Sequence, residues 1–208
     1  MLRAAPLILT ALFLFPNFIH SAPINTVWSD AQPPEKPALT PVTINPGDTA
    51  LLILDIEELT CNTKRRPRCL ETVPRIVDIM TRARKAGVTV IYSLTSRGTP
   101  RTILAQVTPK EGEAIVQSSV DKFWKTDLEK ILKERNIRNV IITGTAAHGA
   151  VMHTATAAGF RGMGVLLPVD CLSAKDLYTE QATVELLKTG PGTRKRITLT
   201  SSQLINFP

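Results

Sequence analysis

The 208-residue chain has few of the residues that usually carry chemistry: three cysteines and three histidines. Cys61, Cys69 and Cys171 never approach the CxxC spacing of redox and zinc sites. His148 and His153 stand five apart, which does not match the i, i+4 pairing that puts two ligands on one helical face. No internal repeat or low-complexity tract occurs, which excludes a solenoid array. The apolar run at residues 7–15 is too short to cross a bilayer and Pro16 follows it. No cysteine lies where a lipid could be attached after that run, so no stable membrane anchor is expected.

What is present at the N-terminus is more telling. "MLRAAPLILTALFLFPNFIHSAP" places one Arg before the apolar run and the small residues Ser21 and Ala22 after it. This is the pattern of a secretory signal peptide, read as residues 1–21 with cleavage near Ser21 or Ala22. The protein is therefore expected to be exported, periplasmic or secreted. Export permits a disulfide. Cys61 and Cys69 flank the short basic loop "CNTKRRPRC", and joining them would stabilise the fold by roughly 2–3 kcal/mol on the chain-entropy model. Two free thiols are the alternative, and Cys171 is left over either way. The formal charge of +7 reads first as a solvated surface and second as attraction for a small anionic ligand. A small molecule is the expected partner and nucleic acid is not. A homo-oligomer is compatible with the chain.

Residues 22–47 carry Pro23, Pro33, Pro34, Pro37, Pro41 and Pro46 and read as an extended arm before a domain at 48–208. "TALLILDI" (49–56) is a continuous apolar run ending in Asp55, as in a strand buried on both faces. A helix with Val73, Ile76, Met80 and Ala83 on one side follows, with Thr72 as its predicted cap and Gly87 as its end. "VTVIYSL" is the next strand and a long loop follows. "EAIVQ" is a short strand, and Thr126 caps a helix with Leu128, Ile131 and Leu132 inward. "NVIITG", a helix over about 148–159, "MGVLLPVD", a helix ending at Gly190 and the strand "RITLT" complete the alternation. Such alternation implies βαβ units and a mostly parallel sheet. Ligands of such sheets lie beyond the carboxyl ends of the strands, where Asp55, the turn at 144–150 and Asp170-Cys171 all fall.

Four blocks, "LLILDIEE", "PKEGEAIVQSSVDKFWKTDLEKIL", "NVIITGTAAHGAV" and "LLPVDCLSA", resemble the isochorismatase-like, or cysteine hydrolase, superfamily in order and spacing over residues 49–200. The resemblance implies a three-layer α/β/α sandwich with a mostly parallel, Rossmann-like sheet. It assigns an acid/base role to Asp55 and a partner role to Lys122. The strand–turn–helix of the family commonly reads TGVATDVCV, and "TGTAAHGAV" lines up with it without a gap. The nucleophilic Cys then falls on Ala150, whose methyl group cannot attack a carbonyl. The resemblance further implies a cis peptide between Thr145 and Ala146, which would turn the backbone N–H groups of Ala146 and Ala150 toward an oxyanion. The metal-binding branch of the family uses an Asp and two His near the first strand. No His lies between His20 and His148, so neither a metal nor another cofactor is expected.

Three functions follow. Some family members cleave a vinyl ether, which needs a proton at the methylene carbon and then water. Asp55, preceded by four apolar residues, could supply that proton from a dry site, with Lys122 pairing with it or holding a substrate carboxylate. The alternative role for Asp55 is a capping carboxylate. A second function is amide hydrolysis with Cys171 as replacement nucleophile, against simple packing of that residue. The third is a binding protein that kept the pocket and lost the reaction. Phe123 or Trp124 could wall a ring-shaped ligand, although core packing suits one of the two. His148 could line the pocket. Lys64, Arg65, Arg66 and Arg68 read as a solvated loop that would favour an acidic ligand if it overhangs Asp55.

Overall fold

A computed structural model describes residues 22–208. The segment read as a signal peptide lies outside the described residues. The chain falls into two compact units divided between Pro33 and Pro34. Described residues of the first unit form a single 3₁₀ turn, Trp28–Asp30.

In the second unit the elements follow the apolar periods of the sequence. They are β1 (Val42–Thr43), β2 (Thr49–Leu54), α1 (Pro67–Lys85), β3 (Thr89–Leu94), β4 (Ala114–Gln117), α2 (Leu128–Glu134) and β5 (Asn139–Thr145). Then come α3 (Met152–Phe160), β6 (Gly164–Pro168), β7 (Leu172–Ser173), α4 (Leu177–Thr189), β8 (Ile197–Thr200) and β9 (Ile205–Asn206). The central sheet runs β4-β3-β2-β5-β6-β8, and all of its pairings are parallel. β2 is its middle and every residue of it is buried.

Alternation along β2 builds both faces of the core. Leu51 and Ile53 pack with Val73, Ile76, Ile79 and Met80 of α1. Leu52 and Leu54 pack with Leu128 and Leu132 of α2, Ala155 and Ala158 of α3, and Leu187 of α4. Each such Leu or Ile contributes about 1.5–3 kcal/mol by leaving water. The result is a mostly parallel sheet with helices on both sides, three layers in all.

The structure departs from the sequence reading at several element ends. α1 begins at Pro67, five residues before the expected cap, because proline is well suited to a first helical turn. Thr72 is instead inside the helix and donates to the Cys69 carbonyl at 2.8 Å. Thr126 does accept the Leu128 N–H at 3.2 Å, although Asp127 is the residue at the cap. The helix expected from His148 opens with a wide turn, Ala147–Val151, whose Gly149 has non-helical φ and ψ. The run "MGVLLPVD" breaks at Pro168, makes one 3₁₀ turn and continues as β7, which pairs with the end of β5. Within the proline-rich arm, β1 pairs in parallel with β9.

Cys61 and Cys69 are joined in a disulfide and Cys171 is free and buried. The bridge closes a loop of sequence separation 8. Replacing both cysteines by Ser is expected to cost about 2.5 kcal/mol on the chain-entropy model. Calorimetry should read a melting temperature lower by roughly 5–10 °C. A loss below about 2 °C would mean that the hydrogen bonds of the loop hold it unaided.

Candidate functional site

β2 and β5 bring the site together at their carboxyl ends. Gly144 pairs with Leu54 and has φ +122°, and any Cβ there would collide with the Leu54 backbone carbonyl. Glycine therefore lets the end of β5 run against the residue before Asp55. The chain then leaves β2 through Asp55 itself, whose φ is +53°, a left-handed conformation that Asp and Asn tolerate better than most residues.

The Asp55 side chain turns into the protein and is 3% exposed as a residue. Its Oδ1 accepts from Ser93 Oγ at 2.7 Å and from Lys122 Nζ at 2.8 Å. Ser93 comes from β3, where the register sets it beside Leu54. Lys122 is 0% exposed and lies between β4 and α2. Its Nζ also donates to the carbonyls of Ser119 at 2.7 Å, Ser118 at 3.0 Å and Leu94 at 3.1 Å. Three carbonyls and one carboxylate thus surround one ammonium, so the buried charge is both paired and hydrogen-bonded. Burial pushes the Asp55 carboxyl above its ordinary value. The Lys122 charge and the hydrogen bonds from Lys122 and Ser93 pull it down without cancelling the rise, and the Glu57 charge adds to it.

Asp55 lines a cleft of about 220 Å³. Thr145, Ala146, Gly149 and Ala150 form another wall, and Leu59 and Val120 supply apolar surface. Arg65, Arg66 and Arg97 also line it, so the basic loop does overhang Asp55. Arg66 donates to the Thr60 carbonyl at 3.3 Å. Burial and the neighbouring Arg65 lower its guanidinium from the usual value, against an opposing pull from Asp55. Arg68 points elsewhere and forms a two-bond ion pair with Glu180 at 2.8 and 2.7 Å. The Thr145–Ala146 peptide bond is cis.

Other residues singled out from the sequence lie elsewhere. Phe123 belongs to the core beneath α2 and α3, with Arg161 over its ring at 4.4 Å. Trp124, the next residue, points the other way and is 64% exposed. His148 is exposed, and none of the three lines the cleft. Asp170 accepts from Ser202 N and Oγ at 2.8 and 2.6 Å, a tie to the C-terminal segment. Cys171 is fully buried, and burial together with Asp170 pushes its thiol well up, so it is held neutral. A neutral, sealed thiol is no nucleophile. Sequence reasoning missed Ser93, Arg97 and Glu57. The strand register would have pointed to Ser93, and the other two depend on a loop whose path has no periodic signal. Among the described residues no group of three or more His, Cys, Asp or Glu could hold a metal ion.

Comparisons with known proteins follow the same outline. The isochorismatase domain pattern matches residues 49–199. The chain is 27% identical over 149 residues to a secreted isochorismatase effector of Verticillium dahliae, covering 66% of this chain and 78% of that one. Its fold is similar to a cysteine hydrolase from Pseudomonas syringae pv. phaseolicola, at a TM-score of 0.69 and 19% identity over 81% of this chain and 95% of that one. It is also similar to N-carbamoylsarcosine amidase from Thermoplasma acidophilum, at 0.65 and 20% identity over 74% and 96%.

Proposed function

The chain belongs to the isochorismatase family, a family of hydrolases, and we propose that it takes a small carboxylated molecule into the Asp55 cleft and works on it by proton transfer and water addition. The observation that carries this reading is the state of Asp55: a buried carboxyl raised above its usual value, beside a cleft with three arginines around it. A carboxylic acid kept protonated closer to neutral pH is a competent general acid. Arg65, Arg66 and Arg97 would hold the carboxylate of the ligand. On a vinyl ether, Asp55 gives its proton to the methylene carbon, water adds to the resulting oxocarbenium ion and returns a proton to the Asp55 carboxylate, and the hemiketal separates into an alcohol and a carbonyl compound. Lys122 stabilises the carboxylate that Asp55 becomes.

No thiol takes part. Ala150 stands where the family resemblance puts the nucleophile, Cys61 and Cys69 are spent on each other, and Cys171 is sealed. The amidase reading with another nucleophile has the least support for this reason. Ala150 also favours a second reading, a relative that holds a ligand without converting it. Export is part of the proposal, supported by the disulfide and by the secreted fungal relative.

The test is a screen of the mature protein against carboxylated vinyl ethers and small amides, with and without iodoacetamide. Alkylation is expected to leave turnover unchanged. Ala150→Cys is expected to add a hydrolysis of small amides that iodoacetamide removes, with a burst of acyl-enzyme. Turnover by the unaltered chain that is lost on alkylation overturns the proposal. Tight binding of carboxylates with no turnover of any substrate selects the second reading.

A further inference from the structure

A second acidic side chain near Asp55 in sequence is not used by the proposed reaction. Glu57 is fully buried, two residues past Asp55. Among the described residues no Lys, Arg or His pairs with it within 4.0 Å. A buried carboxylate without a counter-charge is costly and is retained only where its hydrogen bonds fix it. Its two oxygens are divided between the ends of one excursion of the chain. Oε1 accepts the Thr95 N–H at 3.2 Å and Oε2 accepts from Thr102 Oγ1 at 3.0 Å. Gly98 packs so closely on the carboxylate that a Cβ there would overlap it. The backbone continues the clasp, since Glu58 N donates to Thr102 O at 2.8 Å and Leu104 N to Ile56 O at 3.1 Å. Gln117 closes it from outside by donating to the carbonyls of Thr95 and Gly98 at 3.0 and 2.7 Å. The excursion so held presents Thr95, Ser96 and Arg97 to the cleft.

We propose that Glu57 is a positioning residue of this site: it hangs the Arg97 edge of the cleft from the central sheet. This role stands whether or not Asp55 is the proton-bearing group of the proposed function. Gln at 57 keeps a side chain of the same shape, with an amide that can accept from Thr95 and donate to the Thr102 hydroxyl, and removes only the charge. Ala removes the anchor as well.

The experiment uses the mature chain and needs no substrate. Hydrogen exchange follows the amides of Thr95 and Gly98. Glu57→Gln, which keeps the hydrogen bonds, is expected to leave both amides as protected as in the parent chain. Glu57→Ala is expected to speed their exchange by roughly tenfold to a hundredfold, the loss of a hydrogen bond to a charged group. Unchanged loop exchange in Glu57→Ala refutes the positioning role, and exchange in Glu57→Gln as fast as in Glu57→Ala refutes the hydrogen bonds as its cause. Should Glu57→Ala not fold, Thr102→Val, which removes the partner of Oε2, carries the test, and unchanged exchange of the two amides there refutes the role.

Discussion

Asp55→Asn is expected to remove about 10²–10⁴-fold of any turnover the protein has, the usual loss for a missing general acid. Asn keeps the shape, tolerates the left-handed backbone at this position, and still accepts from Ser93 and Lys122 through its carbonyl oxygen. It cannot release a proton. The pH profile gives the sign a second time. On the proposed mechanism Asp55 acts in its protonated form, so kcat/KM should be level below the Asp55 pKa and fall as pH rises through it. Burial raises that pKa, so the fall comes at higher pH than for an exposed aspartate. The Asn variant should show no such limb. A variant within about threefold of the parent chain, with the same profile, would take Asp55 out of the chemistry.

Lys122→Met is expected to be the most destabilising of these changes, by about 3–5 kcal/mol, as for other buried pairs cut on one side. Methionine fills much the same space. It leaves Asp55 without its counter-charge and the carbonyls of Leu94, Ser118 and Ser119 without their shared donor. The cost depends on pH in a definite direction. Without Lys122 the folded chain raises the Asp55 pKa further, because the largest opposing influence is gone. A group whose pKa is raised on folding supports the fold while it is protonated and loses that support as pH rises through the folded value. The stability gap between variant and parent should therefore widen as pH rises above the ordinary carboxylate range, read from denaturant midpoints. A gap below about 1 kcal/mol at pH 8 would show that the ammonium is not needed to hold the carboxylate.

Period and composition were enough for the layers. β2 reads as doubly buried because it has no polar residue between Ala50 and Leu54, and the helices read as amphipathic because their apolar residues recur every three or four positions. The pairing of Asp55 with Lys122 was suggested by resemblance rather than by pattern, since 67 residues separate them and nothing local links them. The surroundings of that pair were less accessible. Glu57 sits in the run "DIEE", which by composition alone suggests a solvated turn, yet one of its two glutamates is sealed and the other is exposed. Phe123 and Trp124 show the same limit from the apolar side. Two consecutive aromatics in an irregular segment have no periodicity to assign one to the core and the other to the surface, and the structure divides them that way. The start of α1 was misread because a threonine with a good capping side chain outweighed a proline five residues earlier. The wide turn after β5 has no sequence period of its own.

The left-handed backbone at Asp55 and the small side chain at Ala150 have a joint evolutionary consequence. Both positions accept an inert residue in the backbone conformation the chain gives them: Asn fits at 55, where it leaves the buried Lys122 ammonium without its counter-charge, and Ala already fills 150. The arginine rim and the disulfide loop are built on other side chains. On the proposed function, a lineage with this scaffold can pass between catalyst and carrier one substitution at a time, with the larger cost in stability falling at 55.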